Sequence, residues 1–347
     1  MGRGSRFVAS SAREKGGGLD KKMRAVGIRR YGPPEVLEPL EVERPEPGSD
    51  GILIRVAAAG VNPADCLLRS GGLRFVARQK MPFVPGADVA GVVEAVGPGV
   101  TRFRAGDPVY AMLPNTAGGG YAEYAVATEG TVAVMPPGLA FEEAAGVPLA
   151  SLTALQALRD EANLAAGNHV LVNGASGGIG TFAVQISHAM GARVTAVASG
   201  RSADLVSGLG ADEFLDYTRE DVTVGKARYD TVFDAANVLA FRKVRRVLKP
   251  NGVFVTVNPF VGWLSPGWLA RFRGGRRIRS FLVRPDGADL EKIGAWIEAG
   301  EVRPVIERAY PLSDAAEAHR RSESRRSRGK LVLVADEELA AAGSGTA

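Results

Sequence analysis

The glycine-rich stretch from His169 to Arg201 limits the possible folds of this chain more than any other segment. Residues 169–173 (HVLVN) form a short apolar run that is typical of a buried strand. Apolar residues recur at roughly helical spacing after a cluster of glycines at Gly174, Gly177, Gly178 and Gly180. A second apolar run covers residues 193–198. The stretch therefore predicts a strand, a glycine turn, a helix and a second strand.

This unit predicts a dinucleotide-binding site. A pyrophosphate can rest on the N-terminus of a helix, where free N–H groups and the positive end of the helix dipole face the anion. Side chains at the turn would hold the phosphate away from the backbone. The position of the glycines between a strand and a helix makes the signal strong. The alternative is a glycine-rich turn that binds no ligand.

The end of the second strand favours NADPH over NADH. An NAD-binding unit usually carries Asp or Glu about 20 residues further on, where it binds the ribose 2′-hydroxyl. Here that point is Ser199, followed by Gly200 and Arg201. A guanidinium can bind a 2′-phosphate through two hydrogen bonds, whereas a carboxylate would repel it. We therefore expect Ser199 and Arg201 to contact NADPH. The alternative is that Arg201 is only a solvated residue at a helix start.

Charge and cysteine content limit the setting and the partners. The 347 residues carry a net charge of +5, which suits an anionic cofactor but is too small to predict nucleic-acid binding without a motif. The one cysteine, Cys66, excludes an internal disulfide, and no secretory signal is visible, so we expect a cytoplasmic location. The uncharged run 253–270 contains Pro259, Pro266 and several glycines, which favour a strand and a loop over a membrane span.

The order of predicted elements indicates an α/β protein. Short strands separated by turn residues run from Met23 to residue 126, as in a barrel-like β domain. From residue 151, strands and helices alternate, which predicts a parallel sheet covered on both faces. We predict a helix over 241–248 and a strand over 253–257 in this part. The tail is predicted as a helix over 286–300, a strand over 302–310, a helix over 313–321 capped by Ser313 and a strand over 330–334.

The chain resembles the medium-chain dehydrogenase/reductase superfamily, in its zinc-free quinone oxidoreductase (ζ-crystallin-like) branch. The motifs that carry the resemblance lie at residues 60–65, 85–91, 96–100, 103–107, 172–180, 209–212 and 329–333. The resemblance spans about residues 23–335. It implies a disordered tail (1–22), a GroES-like β-rich catalytic domain (23–148 and 285–336) and a Rossmann domain with a doubly wound parallel sheet that binds NADPH (149–284).

The resemblance also bears on metal binding. Zinc-dependent relatives place a cysteine ligand and a His-Glu pair at positions that are Asn62 and Ala87-Asp88 in this chain. A catalytic zinc site needs three ligands from Cys, His, Asp or Glu. The three histidines, His169, His188 and His319, are scattered along the sequence. We therefore predict no metal.

Individual site residues follow from the resemblance. It implies that Asn62 donates a hydrogen bond to a substrate carbonyl, with capping of the turn before Pro63 as the alternative. Many relatives carry a tyrosine five residues later as a proton donor, and this chain has Leu67 there. Cys66, just before it, is either a weak donor or a small buried hydrophobe. The implied cofactor contacts are Thr153, Ser176, Gly177, Gly178, Ile179, Tyr217, Asn258 and Lys330, the last with a solvated turn lysine as the alternative.

These features predict an NADPH-dependent reductase that transfers a hydride to an activated C=C bond of an enone or enoyl thioester. Quinone reduction is one alternative, and an NADPH-binding structural or RNA-binding protein without turnover is another. Residues 259–284 combine aromatic residues with six arginines, which favours an acyl chain delivered by an acyl carrier protein. A dimer edge with solvated arginines and single-stranded nucleic-acid binding are the other interpretations of this stretch. We expect a homodimer and a small-molecule or acyl-thioester substrate.

Overall fold

The computed structural model describes residues 21–75, 77–114, 117–258 and 275–344. Residues 1–20 of the tail predicted at 1–22 and most of the aromatic and arginine-rich stretch (259–284) lie outside these ranges. The predicted end of the tail at residue 22 is wrong, because Lys22 already begins the first strand. The described strands are β1 (Lys22–Gly27), β2 (Glu38–Glu43), β3 (Gly51–Val61), β4 (Asp88–Val96), β5 (Pro108–Met112), β6 (Tyr124–Thr128), β7 (Val132–Val134), β8 (His169–Asn173), β9 (Arg193–Ala198), β10 (Glu213–Asp216), β11 (Tyr229–Asp234), β12 (Leu248–Thr256), β13 (Arg277–Ser280), β14 (Ile306–Pro311) and β15 (Lys330–Val334).

The described α-helices are α1 (Pro63–Ser70), α2 (Phe141–Ala145), α3 (Pro148–Gln156), α4 (Gly178–Ala189), α5 (Ala203–Ser207), α6 (Phe241–Val244), α7 (Gly287–Glu298), α8 (Ala315–Glu323) and α9 (Glu337–Ser344). None of them combines the length and the apolar character that a membrane crossing requires.

A six-stranded parallel sheet contains the predicted dinucleotide unit. Its order is β10-β9-β8-β11-β12-β13. The apolar side chains of α4 pack on this sheet, and Phe182, Val184 and Ile186 are fully buried with Val170 and Val194. Burial on both faces explains the continuous apolar runs in β8 and β9. The α/β class predicted from the alternation of elements is confirmed.

A seven-stranded, mostly antiparallel sheet is built from the two ends of the chain. Its order is β14-β15-β3-β4-β5-β7, and β6 pairs with β3 as well. Strand β15 lies antiparallel to β3, with Leu331 opposite Val61. The tail therefore returns to the first part of the chain, as predicted. The domain limits given above stay a prediction.

Three local predictions are wrong. The helix predicted over 241–248 ends at Val244, because β12 already begins at Leu248. Strand β14 begins at Ile306 rather than at residue 302. Ser313 does not cap α8: it lies in a 3-10 turn (Leu312–Asp314), and its hydroxyl contacts Asp314. The helix near residue 290 does have a side-chain cap, which is Asp286 accepting the N–H of Asp289.

Candidate active site

The glycine turn has the backbone geometry that a phosphate-binding site requires. Gly177 precedes α4 and carries no side chain that could cover the first free N–H groups of the helix. Gly174 has φ +79°, a left-handed conformation that favours glycine. A Cβ on Gly180 would lie 2.0 Å from the carbonyl oxygen of Gly174, so the turn and the helix can approach only without it. The backbone therefore fits the pyrophosphate of a nicotinamide dinucleotide.

The turn before β15 lies directly against the glycine turn. The N–H of Gly329 donates to the carbonyl oxygen of Ser176 at 2.8 Å, and Gly177 forms a bridge with Gly329. A Cβ on Gly178 would lie 2.9 Å from Cδ of Lys330, so the lysine stem passes over bare backbone. Ile179 packs partly against the core. The predicted residues of the pyrophosphate loop and Lys330 are therefore in contact in the structure.

The predicted adenosine-side residues lie at the carboxyl ends of β9 and β10. Ser199 leads into a 3-10 turn (Gly200–Ser202), and Arg201 is exposed and donates to the carbonyl oxygen of Arg326 at 3.3 Å. Tyr217 is exposed, and its N–H donates to Ala198. Sequence reasoning missed Asp216, whose carboxylate lies beside Gly200 and accepts two hydrogen bonds from Thr218.

Asn62 is the residue that the sequence assigned to catalysis, and the nitrogen and the oxygen of its side-chain amide each contact a charged group. Asn62 precedes α1, and Pro63 fills the first helical position, where a missing N–H costs nothing. The amide nitrogen Nδ2 donates to Oδ2 of Asp88 at 2.9 Å, and Oδ1 accepts from Nζ of Lys330 at 2.5 Å. The side chain therefore does more than cap a turn.

Asp88 and Lys330 form a buried ion pair beside this amide. Nζ of Lys330 lies 3.2 Å from Oδ2 of Asp88, and the two side chains are 3% and 0% exposed. The other oxygen of Asp88 accepts the backbone N–H of Leu149 at 2.8 Å, at the start of α3. The interpretation of Lys330 as a solvated turn lysine is wrong, because the side chain is buried. Its role toward the cofactor stays a prediction.

Two further predicted cofactor contacts lie on neighbouring elements. Thr153 is buried in α3, and its hydroxyl donates to the carbonyl oxygen of Leu149 at 2.6 Å. Asn258 follows β12, and its N–H donates to Oγ1 of Thr256 at 3.3 Å. Ligands of open α/β sheets bind beyond the carboxyl ends of the strands. Asn258 lies at such an end.

A second buried polar cluster, formed by Asp65, Tyr121 and His319, lies beside the start of α1 and contacts the backbone of Asn62. Asp65 accepts the N–H groups of Asn62 at 2.8 Å and Gly86 at 3.2 Å, and the Tyr121 hydroxyl lies 3.4 Å away. Burial and, to a smaller extent, the charge of nearby Asp88 raise the pKa of Asp65 to about 7. The Tyr121 hydroxyl also contacts Nε2 of His319 at 3.0 Å. Burial lowers the pKa of His319 to about 3, so this histidine is a neutral core residue.

The position of the usual tyrosine offers no proton donor. Leu67 is 48% exposed and apolar. Cys66 is buried, and burial raises the pKa of its thiol to about 12. The thiol therefore keeps its proton at neutral pH. Across the residues that the structure describes, no group of three or more His, Cys, Asp or Glu side chains could hold a metal ion.

Comparison with known proteins identifies the family. Residues 48–137 match the family described as "Alcohol dehydrogenase GroES-like domain", and residues 209–333 match "Zinc-binding dehydrogenase". The chain is 35% identical over 324 residues to the chloroplast envelope quinone oxidoreductase homolog of Arabidopsis thaliana, covering 90% of this chain and 98% of the relative. It is 37% identical over 329 residues to the chloroplastic NADPH-dependent alkenal/one oxidoreductase of the same plant, covering 91% and 80%.

A solved structure agrees with these matches. The quinone oxidoreductase from Coxiella burnetii superimposes with a TM-score of 0.81 at 30% identity, over 91% of this chain and 100% of that chain. A GroES-like sheet joined to a parallel nucleotide-binding sheet defines a medium-chain dehydrogenase/reductase. The chain belongs to this superfamily, in its quinone oxidoreductase branch, and this confirms the family predicted from the motifs. It is therefore a nicotinamide-dependent oxidoreductase.

Proposed function

We propose that this protein uses NADPH to reduce a C=C bond conjugated to a carbonyl group. The observation that carries the proposal is Asn62, a buried amide donor held beside the cofactor turn by Asp88 and Lys330. The name of the Arabidopsis alkenal/one oxidoreductase agrees with such a substrate.

The residues support this chemistry in a defined order. NADPH, when bound, supplies a hydride from its nicotinamide ring to the β-carbon of the substrate. The electron pair of the C=C bond moves toward the carbonyl oxygen, which becomes an enolate oxygen. The Nδ2–H of Asn62 that does not face Asp88 is the donor for this oxygen. Water returns a proton to the α-carbon, because neither Leu67 nor Cys66 is a suitable acid.

Turnover with a panel of acceptors tests the proposal. We expect NADPH oxidation with enones and enals and little oxidation with saturated ketones. Quinone reduction is the second candidate function, favoured by the name of the chloroplast envelope relative. Oxidation of NADPH by quinones alone would replace the first candidate with the second. Tight NADPH binding without oxidation by any acceptor would contradict both.

Arg201 carries the proposed preference for NADPH. Its guanidinium is exposed at the carboxyl end of β9 and donates to the carbonyl oxygen of Arg326. A charge-assisted hydrogen bond to the 2′-phosphate contributes about 1.5–3 kcal/mol. We expect Arg201→Ala to lower the NADPH:NADH preference in kcat/KM by about tenfold or more. An unchanged preference would assign the selection to other residues.

The substrate carrier and the oligomeric state are further parts of the proposal. An enoyl thioester on an acyl carrier protein would present the same conjugated carbonyl to Asn62. Comparing kcat/KM for a free and a carrier-bound enoyl thioester tests whether the acyl carrier protein is recognised. Equal values would contradict a role for the carrier. Light scattering tests the proposed homodimer.

A further inference from the structure

We infer that Lys330 and Asp88 are positioning residues for the reduction, because together they fix the orientation of the Asn62 amide, and Lys330 neutralises the Asp88 carboxylate beside it. The inference rests on the proposed function. It assigns to Lys330 a role toward the Asn62 amide instead of a role in binding the cofactor.

The chemistry of the two neighbours permits one orientation of the amide. An ammonium group can only donate hydrogen bonds, and a carboxylate can only accept them. Lys330 must therefore face Oδ1 of Asn62, and Asp88 must face Nδ2. One Nδ2–H then points at Asp88, and the other remains for a substrate oxygen. If the amide were rotated by 180°, Oδ1 would face the Asp88 carboxylate, so that two acceptors met. Nδ2 would face the Lys330 ammonium, so that two donors met.

The ion pair also sets the electrostatic environment of the developing enolate. Asp88 alone would place a buried negative charge one amide away from an oxygen that becomes negative. The Lys330 ammonium, 3.2 Å from the carboxylate, neutralises that charge. Removal of one member of a buried pair leaves an uncompensated charge, which is strongly unfavourable. Loss of Lys330 should thus impair the transition state more than the ground state.

The path of the lysine side chain joins this pair to the cofactor turn. Lys330 begins β15, and its N–H donates to the carbonyl oxygen of Val305 at 2.8 Å, which anchors its backbone. The stem crosses Gly178 at the start of α4, and the ammonium lies between Asn62 and Asp88. One lysine therefore links the segment that seats the pyrophosphate to the amide that meets the substrate.

Lys330→Met removes the ammonium and keeps an unbranched stem. We expect kcat to fall by about 100-fold, the magnitude typical of a lost oxyanion donor, while the Kd for NADPH changes less than threefold. The isotope effect on kcat with NADPH deuterated at the transferred position should rise, because hydride transfer becomes slower. Lys249→Met is the matched control: it removes another lysine–aspartate pair, Lys249–Asp230 at 2.7 Å, and should leave kcat unchanged.

A double variant keeps the inference testable if Lys330→Met destabilises the fold. Lys330→Met with Asp88→Asn removes both charges, so folding should recover. Asn at position 88 can still accept the N–H of Leu149, but the Asn62 amide loses its fixed orientation. We expect kcat above that of Lys330→Met and still at least tenfold below wild type.

Two outcomes would overturn the inference alone. One is a Lys330→Met enzyme with kcat within threefold of wild type and a raised Kd for NADPH, which would make Lys330 only a cofactor ligand. The other is a folded double variant with wild-type kcat. A wild-type protein that binds NADPH but does not oxidise it with any of the acceptors would instead overturn the proposed function, and this inference with it.

Discussion

Asn62 can offer an N–H to a substrate because its other polar atoms already have partners. Asp88 takes one N–H, Lys330 occupies Oδ1, and Asp65 holds the backbone N–H. Asn62 as a whole residue is 2% exposed, so little water competes for the remaining N–H. Preorganised donors in such dry sites stabilise developing charge more strongly than solvent does.

Asn62→Ala tests this donor directly. The substitution removes the amide and leaves the Lys330–Asp88 pair in place, so the fold should persist. We expect kcat with an enone to fall by about 100-fold with the Kd for NADPH unchanged. Steady-state kinetics and a binding titration measure the two quantities. Asn168→Ala, which removes an amide that accepts the N–H of Ala165 on the surface, should keep full activity. Equal losses in both variants would contradict the assignment.

Asp65 predicts a pH dependence of stability. Its folded-state pKa of about 7 lies above the value of about 3.9 for an unfolded aspartate. The folded protein therefore keeps a proton that the unfolded chain releases between about pH 4 and pH 7. The contribution of this group to the free energy of unfolding is present below pH 4 and is lost as pH rises to about 7. Each pKa unit corresponds to about 1.4 kcal/mol.

Denaturant unfolding of the wild type and of Asp65→Asn between pH 4 and pH 8 measures this contribution. The Asp65→Asn variant loses hydrogen bonds of the carboxylate at every pH. Its side chain at position 65 also has no ionisable group, so this position no longer makes the stability depend on pH. We expect the stability difference between the two proteins to shrink as pH rises to about 7. A difference that is constant or grows over this range would mean that the hydrogen bonds from Asn62 and Gly86 outweigh burial.

The sequence predicted Asn62 and Lys330 separately, but it could not predict their partner. In the sequence, Asp88 stands out only because zinc-dependent relatives carry a metal-binding His-Glu pair at positions 87 and 88. Its contact with Lys330 spans 242 positions in the chain and forms only when β15 pairs with β3, beside β4. No local pattern encodes such a contact, whereas the glycines at 174–180 are local and were predicted correctly as a turn.

At the scale of elements, the glycine turn and the start of α4 form one unit in which two glycines meet different requirements. Gly180 is fixed by packing, because a Cβ would lie 2.0 Å from the Gly174 oxygen. Gly177 is open, because its nearest contact from a Cβ would be 3.4 Å. Gly180 is therefore required by the fold, and Gly177 faces the proposed phosphate site.

Gly180→Ala and Gly177→Ala separate these roles. Gly180→Ala forces backbone against backbone and should lower the free energy of unfolding by about 1–3 kcal/mol. Gly177→Ala should unfold like the wild type, with a Kd for NADPH raised at least tenfold by the methyl group at the helix N-terminus. Thermal unfolding and NADPH titration of both variants provide the comparison. Unchanged NADPH affinity in Gly177→Ala would place the pyrophosphate elsewhere.

The element boundaries show where sequence patterns end. The predicted helix over 241–248 has the right apolar spacing, but backbone pairing of Tyr229 with Leu248 recruits its last residue into β12. Ser313 is a favourable capping residue by type, yet a 3-10 turn of Leu312–Asp314 precedes α8 instead. Tertiary pairing decides both cases, and it is not visible in a local window.

At the scale of the whole molecule, the site depends on the return of the chain. Strand β15 lies between β14 and β3 in the seven-stranded sheet and places Lys330 against the glycine turn that follows β8 of the other sheet. Gln185 of α4 supports the same approach, since its amide exchanges two hydrogen bonds with the backbone of Arg303. The two-part architecture could be predicted from the change in element order, because alternation of strands and helices is a chain-wide pattern.

The central claim is hydride transfer from NADPH to the β-carbon of a conjugated carbonyl substrate. Single-turnover reaction with NADPH deuterated at the transferred position, followed by NMR of the product, tests it most directly. The predicted product keeps its carbonyl group, has lost the C=C bond and carries deuterium at the β-carbon. A product with the C=C bond intact and deuterium on a new alcohol carbon would contradict the claim.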